Sequence, residues 1–592
     1  MTEKFLGFPA AAGFDKKGEA MPDRDEDRKR ALIDAVVDAL GGSGKSAKSM
    51  QNFARTLYSG APLEDLSAYT EAELAKLAED TFALAGTHRP GTTTVLVSNP
   101  DSPSEGGALE RVTVVDVVNE NMPFLLDSAM AELNERGLEL RMVLHPVIDV
   151  SRDAKGKLKD VSGNWRTTEN PVGGPESYIQ IHVERIDSDL LRKDLAKALQ
   201  HIFDDVRHCV EDWKPMLTHL DDAIREYREN PPPIPVEDIA EAVQFLEWLR
   251  DNNFTLLGTR QYDFIGSGEE ARLERVGSGK AAGLGLLRDP NVKVLRRGRE
   301  FVTYTPEIRA FLMQPVPLIV TKANVKSTVH RRVYLDYIGI KKFDDKGTLV
   351  GELRIIGLYT STAYHKSVPS IPYVRRKAAQ VMEMAGFDPS GHSGKGLQNV
   401  LDTFPRDELF QIDVETLYQF AIAIHNLSER PRIRVLSRAD KFDRFVSVIV
   451  YVPRDRYNSE VRKKVGEYLA DVYAGRISAY YPAFPEGTLA RVHYIIGRSE
   501  GETPNPSQEE LEARVGQIAR TWSDALSDAL ASQHEPLEAQ EISARYGAAF
   551  SVAYQETFPA AEAVDDIAIM DQLTPGHPLA IRFLPDVSGK AS

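Results

Sequence analysis

Hydrophobic positions recur at helical spacing early in the chain, where Ile33, Val36, Val37 and Leu40 form one stripe within a helical stretch from Arg30 to about Ala85. Residues before Arg30 are polar and charged and read as a loose arm. The pattern changes across 90–107, a Gly-, Pro-, Ser- and Thr-rich linker around one short strand at Thr94–Val97. Arg111–Val118 is a β-branched run and predicts a buried strand. Next, Met122, Leu125, Leu126, Ala129, Met130 and Leu133 fall at the i, i+3, i+4, i+7 positions of an amphipathic helix, which Gly137 stops. A strand at Leu138–Val150, a turn at Asp153-Ala-Lys-Gly156, a strand at Tyr178–Val183 and a long helix from Leu190 to about Tyr227 follow. The order β-α-β-β-α is that of a ferredoxin-like sandwich.

Three consecutive prolines, Pro231 to Pro233, break the chain. Beyond them the pattern predicts a helix over 236–250 and a strand over Phe254–Phe264, and it defines no element over 265–312. A β section comes next: Pro317–Lys322, Thr328–Phe343 and Thr348–Ser361, with a turn at Asp344-Asp-Lys-Gly347. That turn echoes Asp153–Gly156 and hints at duplicated modules. Helices are expected over 370–386 and 406–428. A last sandwich has strands at Phe445–Val452, Ile477–Tyr481 and Leu489–Ile496 and a helix at Ser459–Tyr473. Helices are expected again over 509–531 and 537–554, and Leu579–Leu584 reads as the opening of a further strand, cut off before its domain. The fold class is α+β, multidomain, with repeated ferredoxin-like sandwiches joined by helical segments.

Composition narrows the function classes. A net charge of −16 argues against a nucleic-acid binder. Cys209 is the only cysteine, so no intramolecular disulfide or Cys-rich metal site is possible, in keeping with a reducing compartment. No run approaches the roughly 18 apolar residues of a membrane span, and 1–14 lacks the pattern of a signal peptide, so a cytoplasmic protein is expected. The histidines are scattered, His201 and His208 lie seven apart on one helix, and no metal site is expected.

Two glycine-rich stretches invite a phosphate reading. Gly41-Gly-Ser-Gly-Lys-Ser46 has Ala39 where a phosphate loop needs its first glycine, and reads as a loop before a helix. Gly277-Ser-Gly279-Lys-Ala-Ala282 fits the loosest dinucleotide fingerprint, but Gly283-Leu-Gly285 is a poor helix start. Neither Asp289 nor Glu300 is placed as its ribose acid. The basic cluster Lys293, Arg296, Arg297 and Arg299 reads as a solvated face, with an anion site as the minority reading.

The sharper feature is the first strand-to-helix turn, Asn119-Glu-Asn121-Met-Pro123-Phe-Leu-Leu126. It resembles the ACT domain, whose signature Asp-x-Pro-Gly-Leu-Leu brings backbone close to an amino acid bound at a helix start. Asn119, Asn121, Met122 and Pro123 are the candidate regulatory-ligand residues. Asn121 stands for the signature Asp and Phe124 for its Gly, and a phenyl ring there is expected to crowd the pocket. The reading favoured is a packing or oligomerising ACT module.

Longer runs extend the resemblance: Val117–Asp127, Phe245–Gly258, Thr321–His330 with Tyr334-Leu-Asp-Tyr337, Gly357–Tyr364, Phe404–Phe410 and Asp443–Asn458. Together, over about 30–560, they resemble the bacterial large-type NAD-dependent glutamate dehydrogenases. That resemblance implies ACT-like modules, a PAS-like one and helical motifs. It divides the chain into an arm and helices (1–88), a first ACT-like domain (89–230), and a connecting module that is PAS-like or part of a second ACT-like domain (231–312). An ACT-like or PAS-like β module with helices (313–430), a third ACT-like domain (431–500) and a helical segment that opens a following domain (501–592) complete it.

The resemblance also implies oxidative deamination of L-glutamate with NAD in the full-length enzyme, by a dehydrogenase part absent from this stretch. No catalytic or cofactor-binding residue is therefore carried over. Expected partners are further copies of the chain, the C-terminal dehydrogenase domain and a small amino-acid effector, with no nucleic acid and no membrane. The alternatives are a stand-alone amino-acid sensor and, more remotely, a self-sufficient dehydrogenase using the 277–285 loop.

Overall fold

The computed structural model describes residues 24–266, 272–277, 282–292, 294, 316–499 and 501–582. They fall into two compact units, the first running to Val294 and again from 316 to Lys366, the second from Ser367 onward. The basic cluster Lys293, Arg296, Arg297, Arg299 and Glu300 lie outside the described residues.

The first unit opens with helices α1 (Arg24–Leu40), α2 (Lys45–Ser59), α3 (Leu63–Leu66) and α4 (Glu71–Leu84). The helix begins at Arg24, earlier than the charge pattern suggests, with Asp25, Glu26 and Asp27 in a first turn where acidic groups suit the helix dipole. A mixed-length antiparallel sheet follows: β1 (Thr94–Ser98), β2 (Val112–Glu120), β3 (Leu140–Leu144), β4 (Val147–Arg152), β5 (Leu158–Asn164) and β6 (Gly174–Glu184), with α5 (Leu125–Glu135) between β2 and β3 and α6 (Asp189–Glu211) after β6. The strand order is β1-β2-β6-β4-β5, and β3 also pairs with β6.

A ferredoxin-like sandwich normally ends with a strand after its second helix. Here the place beside β2 is filled by β1, which comes before it in sequence. Both faces of the sheet are covered. Val112, Val114 and Val118 join Phe53, Leu57 and Leu74 of the N-terminal helices in one core, while α6 packs on β1 and on α5. This is why nearly all of β2 is buried and its sequence is a continuous β-branched run.

The expected strand Leu138–Val150 is two strands, because Pro146 has no N–H to continue the ladder. The expected helix over 190–227 is also two, α6 and α7 (Trp213–Glu229). It breaks at Asp212, whose carboxylate accepts from the backbone N of Gly285 at 2.7 Å and from the Arg288 guanidinium at 2.6 Å.

After α8 (Val236–Trp248) comes a second antiparallel sheet: β7 (Phe254–Ile265), β8 (Arg272–Arg275), β9 (Leu284–Gly285), β10 (Leu318–Lys326), β11 (Tyr334–Phe343) and β12 (Leu349–Tyr359). Its order is β10-β11-β12-β7-β8, with β9 on β7. The first strand thus lies beside the last, and this is the PAS-like module. A division at 312 cuts through it, since β7 pairs with β12 along its length. Lys341 and Glu352 are fully buried in this sheet, 3.1 Å apart.

In the second unit, α9 (Val374–Ala385), α10 (His392–Thr403), α11 (Arg406–Gln411) and α12 (Val414–His425) precede a four-stranded sheet. Its strands are β13 (Arg434–Ala439), β14 (Phe445–Pro453), β15 (Arg476–Ala483) and β16 (Leu489–Gly497), in the order β13-β14-β16-β15, with α13 (Ser459–Val472) and α14 (Gln508–Ile518) on one face. Again the strand beside the first central one, β13, precedes it in sequence. The duplicated architecture is therefore 94–211 against 434–518.

The repeated Asp-x-Lys-Gly turns do not mark that duplication. Asp153 and Asp344 each accept two backbone N–H bonds on the same side-chain oxygen, and Gly156 and Gly347 have φ of 82° and 78°. The chemistry is identical, but one turn joins strands of the ferredoxin-like sheet and the other strands of the PAS-like sheet. The face of the second sandwich away from its own helices carries Arg438, which makes a buried two-point ion pair with Glu408 of α11.

A final group of helices at Trp522–Ala531, Pro536–Tyr546, Val552–Thr557 and Ala560–Met570 shares a separate small core. Residues 579–582 form no strand, and Arg582 lies against Glu562 and Asp566. Among the described residues no helix is long and apolar enough to cross a membrane, and no cluster of three or more His, Cys, Asp or Glu is placed to hold a metal.

A polar chain crosses the first sandwich under the N-terminal helices. Gln180 Nε2 donates to Asp116 at 2.9 Å and to Thr81 at 2.6 Å, and its carbonyl oxygen lies 3.2 Å from His182 Nε2. Tyr69 meets the other ring nitrogen at 2.7 Å. Burial pushes Asp116 up from 3.8 to about 6 and His182 down to about 3. Between pH 3.8 and about 6 only the folded chain holds the Asp116 proton, so its contribution is full below 3.8 and is lost as the pH rises through about 6. Asp116→Asn should therefore melt higher than wild type above pH 6, by an amount on the order of 2–3 kcal/mol, and converge with it toward pH 4. Thermal melts across that range check this; an asparagine variant less stable than wild type at pH 7.5 would contradict it.

Candidate functional site

The site begins where β2 ends. Asn119 is buried, and its side-chain oxygen accepts from Thr93 Oγ1 and from Arg207 Nη2 of α6, both at 2.7 Å. Its amide nitrogen donates to the carbonyl of Glu120 at 2.8 Å, so the amide is committed inside the fold. Arg207 also pairs with Glu120 and donates to the carbonyl of Thr92 at 3.1 Å. Asn121 and Pro123 are exposed and Met122 is half-buried. The four sequence-derived residues are thus split between a buried anchor and an open rim.

The helix does not start at Met122 as its apolar stripe suggests, but at Leu125. The residue before it, Phe124, has φ 71° and ψ 0°. That left-handed conformation suits glycine and costs other residues about 1–2 kcal/mol. Phe124 stands where the ACT signature has glycine, and its positive φ is one that glycine adopts without strain.

The ring is half-buried and lies against the imidazole of His330, with centroids 5.1 Å apart. His330 belongs to the loop between β10 and β11 and is itself left-handed, at φ 69°. Sequence pattern alone reads 328–343 as one strand; pairing begins only at Tyr334, with a register break after Lys322.

This loop is fastened along α5 and α6. The backbone N of His330 donates to Ser128 Oγ at 2.9 Å, and that hydroxyl donates to the carbonyl of Phe124 at 2.6 Å. His330 Nδ1 lies 2.9 Å from the Asp127 carboxylate. Thr328 donates to Asp205 at 2.7 Å, Lys326 to Glu135 at 2.7 Å, and Arg332 reaches Glu132 at 3.1 Å. The helix start of the first sandwich is therefore the joint to the PAS-like module. Sequence reasoning singles out neither Ser128 nor His330 as a site residue; the available signal is the conjunction of Phe where glycine is needed with the motif ending at His330.

The described part of the dinucleotide-like loop does not fit NAD. Leu284–Gly285 is a strand and Leu286–Arg288 a single turn, so no helix N-terminus follows the glycines. The Gly285 N–H already serves a carboxylate, and a Cβ there would lie 2.2 Å from the Leu257 carbonyl oxygen. Close packing explains this glycine. Gly41–Gly44 forms the loop before α2, where Lys45 pairs with Asp160 at 3.1 Å.

The fold and this joint define a class: a multidomain α+β chain built around ACT-type modules. Comparison with known families matches residues 53–199 to the "Glutamate dehydrogenase, ACT1 domain", 371–430 to its "helical motif 1", 434–523 to its "ACT2 domain" and 529–573 to its "helical motif 2". The NAD-specific glutamate dehydrogenase of Halomonas elongata is 33% identical over 539 residues, covering 90% of this chain and 33% of the relative. That of Pseudomonas aeruginosa is 32% identical over 94% of this chain and 34% of its own length; that of Mycobacterium tuberculosis is 28% identical over 83% and 29%. The chain belongs to the large NAD-type glutamate dehydrogenase family, and spans about a third of the length of the curated relatives it matches.

The strain at Phe124 has a measurable sign. Phe124→Gly and Phe124→Ala both delete the ring, but only glycine relieves the positive φ, so the glycine variant should be the more stable by about 1 kcal/mol. In thermal melts of the two variants, an alanine variant as stable as the glycine one would show that no strain resides there.

Proposed function

We propose that this chain is the regulatory and assembly part of an NAD-dependent glutamate dehydrogenase, itself without catalysis. The full-length enzyme would convert L-glutamate, NAD+ and water to 2-oxoglutarate, ammonium and NADH. The observation that carries this reading is the order of matched parts, ACT1, helical motif 1, ACT2 and helical motif 2, within one continuous alignment to dehydrogenases about three times as long. The partners are the dehydrogenase part, where NAD would bind, and further copies of the chain. An amino-acid effector would meet the turn at its open rim, Asn121, Met122 and Pro123, with Asn119 holding the turn from inside.

Contact between copies has a candidate surface. In the first sandwich the outer side of β4 is paired with β5, whereas among the described residues no strand pairs with the outer side of the matching strand of the second sandwich, β15, which exposes Ile477 and Tyr480. A bare strand edge with apolar side chains favours pairing. The purified chain should therefore scatter light as an oligomer and form no NADH from glutamate and NAD above a heat-killed control. Glutamate-dependent NADH production would overturn the regulatory reading, and a strict monomer at high micromolar concentration would overturn the assembly role.

A further inference from the structure

The face of the second sandwich's sheet turned away from α13 and α14 carries His493 of β16, which is 4% exposed. Its Nε2 lies 2.8 Å from the hydroxyl of Ser447 on β14, and the Tyr481 ring of β15 stands beside it with centroids 6.1 Å apart. The helical motif meets the same face at two points. Glu408 of α11 takes the two-point pair with Arg438, and the carbonyl of Thr403, at the end of α10, accepts from Arg491.

Among the described residues the charged groups that face the imidazole are Glu408 and Asp407 from α11, Arg438 from β13 and Arg491 from its own strand. Burial raises the Glu408 carboxyl, but the Arg438 guanidinium outweighs burial and holds it below its usual range. Glu408 therefore stays ionised as the solution acidifies, with both oxygens committed to Arg438. A neutral imidazole suits this setting. An imidazolium would be a further buried cation beside two arginines, and Glu408 has no oxygen left for it. Burial lowers the pKa of His493 and the two acidic groups do not make up the difference.

We propose that His493 makes the joint between the helical motif and the second sandwich acid-sensitive, holding α11 on the sheet while neutral and loosening it when protonated. A base kept neutral by the fold contributes stability that is complete above its ordinary value of 6.5 and is lost as the pH falls below it. On its other side α11 is held by Lys377 of α9, whose ammonium donates to the carbonyls of Phe410 and Ile412, both at 2.9 Å. Burial brings that lysine down from 10.5 to about 7, so it is already largely charged at pH 6.5 and changes little on further acidification. The proposal adds acidity as a signal to the regulatory reading above and does not depend on it.

The test is amide hydrogen exchange of the whole chain at pH 6.5 and pH 5, corrected for the pH dependence of intrinsic exchange and read on α11 against β14. Opening of α11 should rise about tenfold over that interval, close to the most that one histidine can contribute, while β14 stays protected. His493→Gln, which keeps a donor near Ser447 and cannot titrate, should remove the rise. A second measurement needs no variant: exchange at the imidazole C2 position gives the pKa of His493 in wild type, and a value below 6.5 is expected. Equal opening of α11 at the two pH values, a rise that persists in His493→Gln, or a His493 pKa at or above 6.5 would each overturn the proposal.

Discussion

Ser128 holds two left-handed residues at once. Its hydroxyl donates to the carbonyl of Phe124 and accepts the N–H of His330, and both residues have φ near +70°. Neither is glycine, so each conformation persists only because its surroundings fix it. Much else in the first unit follows from this arrangement. It sets where α5 begins, it places the Phe124 ring on the imidazole, and it brings the loop 327–333 along α5, where Lys326 and Arg332 find Glu135 and Glu132. The start of α5 is thus packed on its Phe124 side by a neighbouring module of the same chain, while Asn121 and Pro123 stay exposed.

The two sandwiches show how one architecture serves two settings. Each has the same strand order with a preceding strand at one side, and each covers one face of its sheet with its own helices. The other face is covered differently. In the first it meets the N-terminal helices through an apolar core and the chain of Tyr69, His182, Gln180 and Asp116. In the second it meets α11 through the buried pair of Arg438 and Glu408. A polar group placed in such a contact is expensive unless satisfied, so these few residues fix which helices dock on which sheet.

Much of this was legible in the chain. The β-branched runs at 111–118 and 445–452 are buried strands because both faces of their sheets are covered, and the 3.6-residue stripes of 125–133 and 459–473 are helices. The family was legible in ordered motifs such as Thr321–His330. What pattern could not supply were breaks imposed by distant contacts: the interruption at Asp212, made by Gly285 and Arg288, and the late start of β11, made by the docking of His330. The candidate site was half legible for the same reason. Asn119 and its neighbours were found from the local signature, but their partners lie just before β1, on α6 and on a loop some 200 residues away, the separation of His330 from Asp127 being 203.

Phe124 and His330 stand at the centre of this joint as an energetic pair and not merely a contact. A double-mutant cycle measures it directly: urea unfolding of wild type, Phe124→Ala, His330→Ala and the double variant. The expected coupling energy between the two rings is about 0.5–1.5 kcal/mol, as for other paired aromatics. Effects that simply add, to within about 0.3 kcal/mol, would contradict it.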